Sequence, residues 1–179
     1  VYVSTLKDSS LAMNLAVHRL KNKQFNLDFV REIIEQAAIV YNSKKSGILE
    51  LGGGVPKNTA QQTGPLLDQI LRKDHGGQNY IIQITDARPD TGGLSGATLQ
   101  EGKSWGKVKD SHEDLITVYT DSTIAFPMLA LYALSNEESR EQKRIYKKLG
   151  NYYDTLQESA NNVPDKFADI LKKSDINLD

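Results

Sequence analysis

The sequence predicts an α/β fold, a Rossmann-like parallel sheet with flanking helices and a helical C-terminal tail. Three observations carry this. Four short apolar runs rich in β-branched residues occur at 1–6, 48–51, 80–85 and 114–119. Each leads into a loop marked by glycine or aspartate. Segments of helical periodicity separate the runs. Repeated strand, loop and helix argue for parallel strands joined by crossovers. In such sheets ligands bind beyond the carboxyl ends of the strands. Asp8, Gly52 to Gly54, Thr85 to Asp90 and Asp121 all fall at predicted strand ends, so one crevice would collect them.

Residues 1–6 are the first predicted strand. Asp8 to Ser10 form a turn and helix start, with side-chain oxygens placed to cap free amides. Leu11, Leu15, Val17, His18 and Leu20 mark the first helix. Asn26 is the expected cap of a second, over 27–41, with Phe29, Val30, Ile33, Ile34, Ala37, Ala38 and Tyr41 at helical spacing. The second strand, 48–51, enters the triple glycine. Residues 59–72 read as helix, interrupted or restarted at Gly64-Pro65. After a glycine-bearing loop at 73–77 comes the third strand. A helix is expected over 97–105, then the fourth strand. A last helix in this unit spans 122–135, with Pro127 tolerable only near its first turn.

Residues 136–179 are highly charged. Lys143, Arg144, Lys147 and Lys148 stand at helical spacings from Glu137, Glu138 and Glu141. The expectation is a solvated helical tail packing Ile145, Tyr146, Leu149, Tyr152 and Leu156 on one face. Val163-Pro164 breaks it, and a last amphipathic turn set runs over 167–171. The organisation is therefore a unit at 1–135 and a charged helical extension at 136–179.

Composition narrows the function classes. The 179 residues suit one core-bearing domain. A net charge of −1 gives no basic face for nucleic acid and no polybasic membrane anchor. With no cysteine there is neither disulfide nor thiolate metal site, which fits a reducing cytoplasm. No apolar run approaches the roughly 18 residues of a membrane span. His18, His75 and His112 show no metal-ligand spacing. No metal is expected.

The densest chemistry lies in Ser95 to Lys107, Ser-Gly-Ala-Thr-Leu-Gln-Glu-Gly-Lys-Ser-Trp-Gly-Lys. It holds the only tryptophan, Trp105, two residues before Lys107, and Glu101 lies six residues before that lysine. A lysine beside an aromatic ring and a carboxylate has the makings of a Schiff-base nucleophile. An indole face also binds a substrate ammonium. Taken alone, the same stretch reads more simply as a helix end packed by Trp105 and closed by a solvated lysine. Gly52 to Gly54 lets backbone amides approach a phosphate, or simply makes a tight turn. Asp8 and Asp121 take ribose hydroxyls or cap helices.

Gly-Gly-Gly-Val-Pro-Lys (52–57), Ser-Trp-Gly-Lys (104–107) and Tyr-Thr-Asp-Ser-Thr (119–123), in that order, resemble the deoxyhypusine synthase family. The likeness is to its bacterial and archaeal-type branch and runs from Val1 to about Leu134. It implies NAD contacts for Asp8, Ser10, Gly52, Gly53, Gly54, Thr85, Asp86, Asp121 and Ser122. It implies Lys107 as the catalytic lysine and Trp105 and Glu101 as holders of the amine. The implied reaction is NAD-dependent. A hydride leaves the carbon beside a nitrogen of spermidine, diaminopropane departs, and an aminobutyl imine stands on Lys107. An acceptor amine, on a lysine of a translation factor, then displaces Lys107 and the hydride returns. A homospermidine synthase-type reaction, with a small diamine as acceptor, is the alternative within this chemistry. A non-catalytic subunit is the alternative outside it.

Departures from the family pattern bear on the amine. Asn58 replaces a histidine, Leu94 an aspartate and Met13 another aspartate. Asn58 lines the substrate site but is no general base. Family members are roughly twice this long. The chain is thus expected to match their C-terminal half, to pair with an N-terminal half, and to assemble as a homotetramer.

Overall fold

The computed structural model describes residues 1–21, 27–109, 115–166, 168 and 170. Its centre is a three-stranded parallel sheet: β1 (Gly47–Leu51), β2 (Tyr80–Thr85) and β3 (Leu115–Tyr119), in the order β1-β2-β3. Register places Ile48, Ile81 and Leu115 in one row, and Glu50, Gln83 and Thr117 in the next. Paired residues share a face of a sheet. That face therefore has an apolar row, then a polar row, then the rim at the strand ends. Leu99 and Val108 close over Ile81, with Leu115 packed beside them.

The helices are α1 (Ser10–Lys21), α2 (Phe29–Tyr41), α3 (Val55–Gln61), α4 (Thr63–Pro65), α5 (Leu99–Ser104), α6 (Ser122–Asn136) and α7 (Leu149–Ala160). α2 and α7 pack together with the π-helical turn Leu66–Ile70 that follows α4. Ala37, Ala38, Leu67 and Leu156 form this core, with Tyr41 and Tyr152 against it. The paired alanines let the facing helix approach closely, and Leu156 fills the space.

Three expectations change. Residues 1–6 are not a strand. Among the described residues no ladder includes them, and a 3₁₀ turn, Leu6–Asp8, stands where the strand would end. A strand needs a neighbouring edge, and Tyr2 is instead tied to α2 through its hydroxyl on Glu35. The cap of α2 is Asp28, whose carboxylate accepts the Arg31 amide at 2.9 Å; Asn26 lies outside the described residues. The interruption expected at Gly64-Pro65 is present: α3 ends at Gln61, α4 restarts at Thr63, and a π-helical turn follows Pro65. Pro127 is the sixth residue of α6, past the first turn.

The tail changes most. α6 ends at Asn136, and no regular helix joins it to the 3₁₀ turn Ile145–Lys147. Glu137, Glu138 and Glu141 therefore share no helical face with the four basic residues. α7 itself is a core helix, with Leu156 wholly buried. Residues 167, 169 and 171, and also His112 and Asp114, lie outside the described residues.

Candidate active site

The 94–107 segment is held from three sides. Gln83, in the polar row of β2, donates to the Ser95 carbonyl at 3.0 Å. Lys57, in the first turn of α3, donates to the Ala97 carbonyl at 2.6 Å. Gly53 lies against Ser95, where an added Cβ would stand 2.6 Å from its Cα. Thr98 then caps α5 by accepting the Glu101 amide, and Trp105 closes the helix.

Lys107 is fixed by backbone. Its amide donates to Gly102 and its carbonyl accepts from the Gln78 amide, both at 3.0 Å. Two glycines back this position. A Cβ on Gly64 would meet the Gly106 carbonyl at 2.6 Å, and one on Gly77 the Val108 amide nitrogen at 2.6 Å. The expected break at Gly64-Pro65 is thus a close approach of helix to the lysine loop.

From this anchor the Lys107 ammonium donates to Asn58 Oδ1 at 2.6 Å. The two share a cavity of about 50 Å³ with Lys57, Leu94, Glu101 and Trp105. A water needs roughly 10–15 Å³, so this space holds a few waters. Trp105 is 60% exposed and half a wall, with its indole free to meet a ligand from solvent. Leu94 stands on that wall too and gives the cavity an apolar side.

Beneath the cavity lie groups that sequence reading passes over. Glu50, in the polar row of β1, is 4% exposed and accepts from Gln61 Nε2 at 2.5 Å. Lys57 is 8% exposed. Burial pushes the Glu50 carboxyl above the usual carboxylate range, against the pull of Gln61, Lys57 and Lys107. Burial likewise pushes Lys57 below the usual lysine range; Glu50 draws it back and Lys107 opposes. The available signal was a glutamate at an inward position of an apolar strand, with glutamine and lysine one turn apart on the next helix.

The strand-end residues form a separate group. Gly52 donates to the Ile84 carbonyl and Thr120 to the Thr85 carbonyl, drawing the loops together at the rim. Gly52 and Gly54 have φ of 83° and 88°, the left-handed region that glycine favours. Among the described residues nothing lies within 4 Å of a Cβ on Gly52. Thr85 is buried and accepts the Ala87 amide; Asp86 is exposed. Asp121 caps α6 through Thr123, whose hydroxyl and amide hold its carboxyl below the usual range. Ser122 opens that helix. Asp8 and Ser10 do not join the rim: Asp8 lines another cavity with Val3, Phe29 and Glu32, and Ser10 begins α1. Their expected place followed from a first strand that is not formed.

Fold and site together define an α/β protein with a parallel sheet, a glycine rim and a lysine–tryptophan pocket beside it. The deoxyhypusine synthase family model matches residues 1–133. A deoxyhypusine synthase-like protein of Nostoc punctiforme is 47% identical over 163 residues, 88% of this chain and 42% of that one. One from Thermosynechococcus vestitus is 43% identical over 166 residues, 88% and 41%. A probable deoxyhypusine synthase 2 of Methanosarcina acetivorans is 39% identical over 145 residues, 81% and 41%. The chain belongs to the deoxyhypusine synthase family, and it spans about two fifths of the length of these relatives. Among the described residues no helix is long and apolar enough to cross a membrane.

Proposed function

We propose that this chain carries the lysine site of an NAD-dependent aminobutyltransferase, moving the four-carbon unit of spermidine to a protein lysine. The observation that carries the reading is Lys107 on Asn58 in a pocket walled by Trp105 and Glu101. Lys107 attacks as a neutral amine. It bonds to the donor carbon at the imine oxidation level, reached by loss of a hydride, the bond to diaminopropane breaks, and the resulting imine on Lys107 persists until the acceptor amine displaces it. Asn58 orients the Lys107 nitrogen but takes no proton. Trp105 offers its face, and Glu101 its charge, to the distal ammonium.

Bound NAD would supply the acceptor and donor for that hydride. The residues present suit it in part. Gly52 and Gly54 open the backbone at the rim, and Asp86 and Asp121 offer carboxylates to ribose hydroxyls. Asp8 and Ser10 need rearrangement to contribute.

The apolar wall at Leu94 favours a second reading, in which the acceptor is a small diamine. A non-catalytic role is favoured by the open apolar face of α6. We further propose that an N-terminal part of the family fold, and a homo-oligomeric assembly, cover that face, and that the protein works in the cytoplasm.

The test is borohydride trapping with NAD and labelled spermidine, in the full assembly. A stable adduct on the Lys107 peptide, absent from Lys107→Ala, is expected. No adduct, or an equal adduct in the variant, makes the chain a scaffold. Label recovered only in a polyamine, with putrescine and a lysine-bearing protein offered side by side, moves the choice to the diamine acceptor.

A further inference from the structure

Glu50 lacks a structural reason to be charged. It sits between apolar neighbours on β1, and one carboxyl oxygen is satisfied by Gln61. The other, Oε2, is buried without a hydrogen-bond partner among the described residues. Burying a carboxylate is costly unless a charge compensates it, and a neutral amide or an apolar side chain serves a sheet better. The charges that face it come from two elements: Lys57 on α3 and Lys107 from the loop after α5. Lys57 is faced in turn by Glu50, Lys107 and Glu101.

Lys57 connects this buried acid to the pocket. It lines both the Lys107 cavity and a second one, of about 230 Å³, that it shares with Glu50, Gly53 and Pro56. Its ammonium holds the Ala97 carbonyl. A charged donor makes that bond stronger than a neutral amine would. A buried lysine loses its proton readily unless an anion keeps it.

We propose that Glu50 is a positioning residue, the buried counter-charge that keeps Lys57 on the Ala97 carbonyl and so fixes the 94–98 wall of the Lys107 pocket. This deepens the amine-site reading and rests on it for its functional meaning. The coupling of Glu50 to Lys57 can be measured without turnover.

The experiment is modification of lysines by acetic anhydride from pH 7 to 9, read by peptide mass spectrometry on the intact chain. In Glu50→Gln, which keeps the partner for Gln61 and loses the charge, Lys57 reacts several-fold faster at pH 8, because more of it stands as the neutral amine without the carboxylate. Glu50→Asp restores much of the wild-type rate. Lys73, which donates to the Ser159 carbonyl far along the chain, is the control and stays unchanged. Equal Lys57 rates in wild type and Glu50→Gln overturn the proposal, as does a joint rise at Lys57 and Lys73, which reports general loosening. Lys57→Met gives the second measurement. Its loss of Tm is to grow between pH 5 and pH 8, as Glu50 ionises without its partner. A pH-independent loss overturns the proposal. A Lys57 shift without any trapped adduct leaves the coupling standing and removes the aminobutyl reading alone.

Discussion

Two halves of this molecule handle apolar surface in opposite ways. In one, α2, α7 and the turn after α4 close on Ala37, Ala38, Leu67 and Leu156, and the lysine loop packs closely on Gly64 of α4 and on Gly77. In the other, every residue of α6 is exposed or half-buried, although the helix carries Ile124, Phe126, Met128, Leu131, Tyr132 and Leu134. Ile116, Val118 and Tyr119 of the neighbouring β3 are open as well, as are Leu11, Met13, Val17 and Leu20 of α1. A helix apolar on all sides belongs inside something larger. The closed half holds the proposed nucleophile; the open half begins at Asp121 and Ser122, where cofactor contacts are expected. On the reading proposed above, the lysine side is prepared within this chain, while the dinucleotide side borders the uncovered apolar surface of α6.

The sharpest way to break this contrast is the same substitution in each half. Leu156→Ala removes a wholly buried side chain and is expected to cost about 2–5 kcal/mol by chemical denaturation. Leu131→Ala, at 67% exposure, should change the stability of the isolated chain by no more than about 0.5 kcal/mol. It should weaken assembly with a partner, read by sedimentation. Equal costs would erase the distinction.

Gly77→Ala probes the lock on the lysine loop. Its φ of 80° and the 2.6 Å approach to Val108 act together. A loss of about 2–4 kcal/mol is expected from backbone strain and crowding. Adduct formation at Lys107 should fall further than this stability loss explains. A variant with normal trapping would show that the loop tolerates displacement.

The smallest expected effect is at His75, half-buried in the closed half. Burial holds its imidazole below the usual range, and Lys109 adds to this while Asp68 opposes it. Protonation therefore favours the unfolded chain. The contribution is present above pH 6.5 and is lost as pH falls through the folded value. His75→Gln should flatten Tm between pH 7.5 and 5. An unchanged slope assigns the acid sensitivity elsewhere.

Much of this was legible along the chain. Apolar runs of strand length at 48–51, 80–85 and 114–119, each leading into glycine, threonine or aspartate, matched three parallel strands within a residue or two. The cap at Asp121 follows from local chemistry, since a side-chain oxygen reaches an amide two residues on. Lys107, Trp105 and Glu101 stood out because they lie within one helical turn or two of each other, and Asn58 because of its motif.

Tertiary structure decided what depends on distant partners. Residues 1–6 have strand composition but no edge to pair with, so propensity alone did not make a strand. Leu156 looked like one stripe of a solvated helix until Ala37 and Ala38 gave it a cavity to fill. Gly64 and Gly77 read as a helix break and a loop, while their actual office is to let Lys107 sit close. Glu50 showed only as an inward acid on an apolar strand; that it lines one cavity with Lys57 was decided by strand register and helix docking. Sequence sets what each segment prefers within a few residues. Which charges and side chains face one another is settled by packing, where burial makes each unpaired group costly.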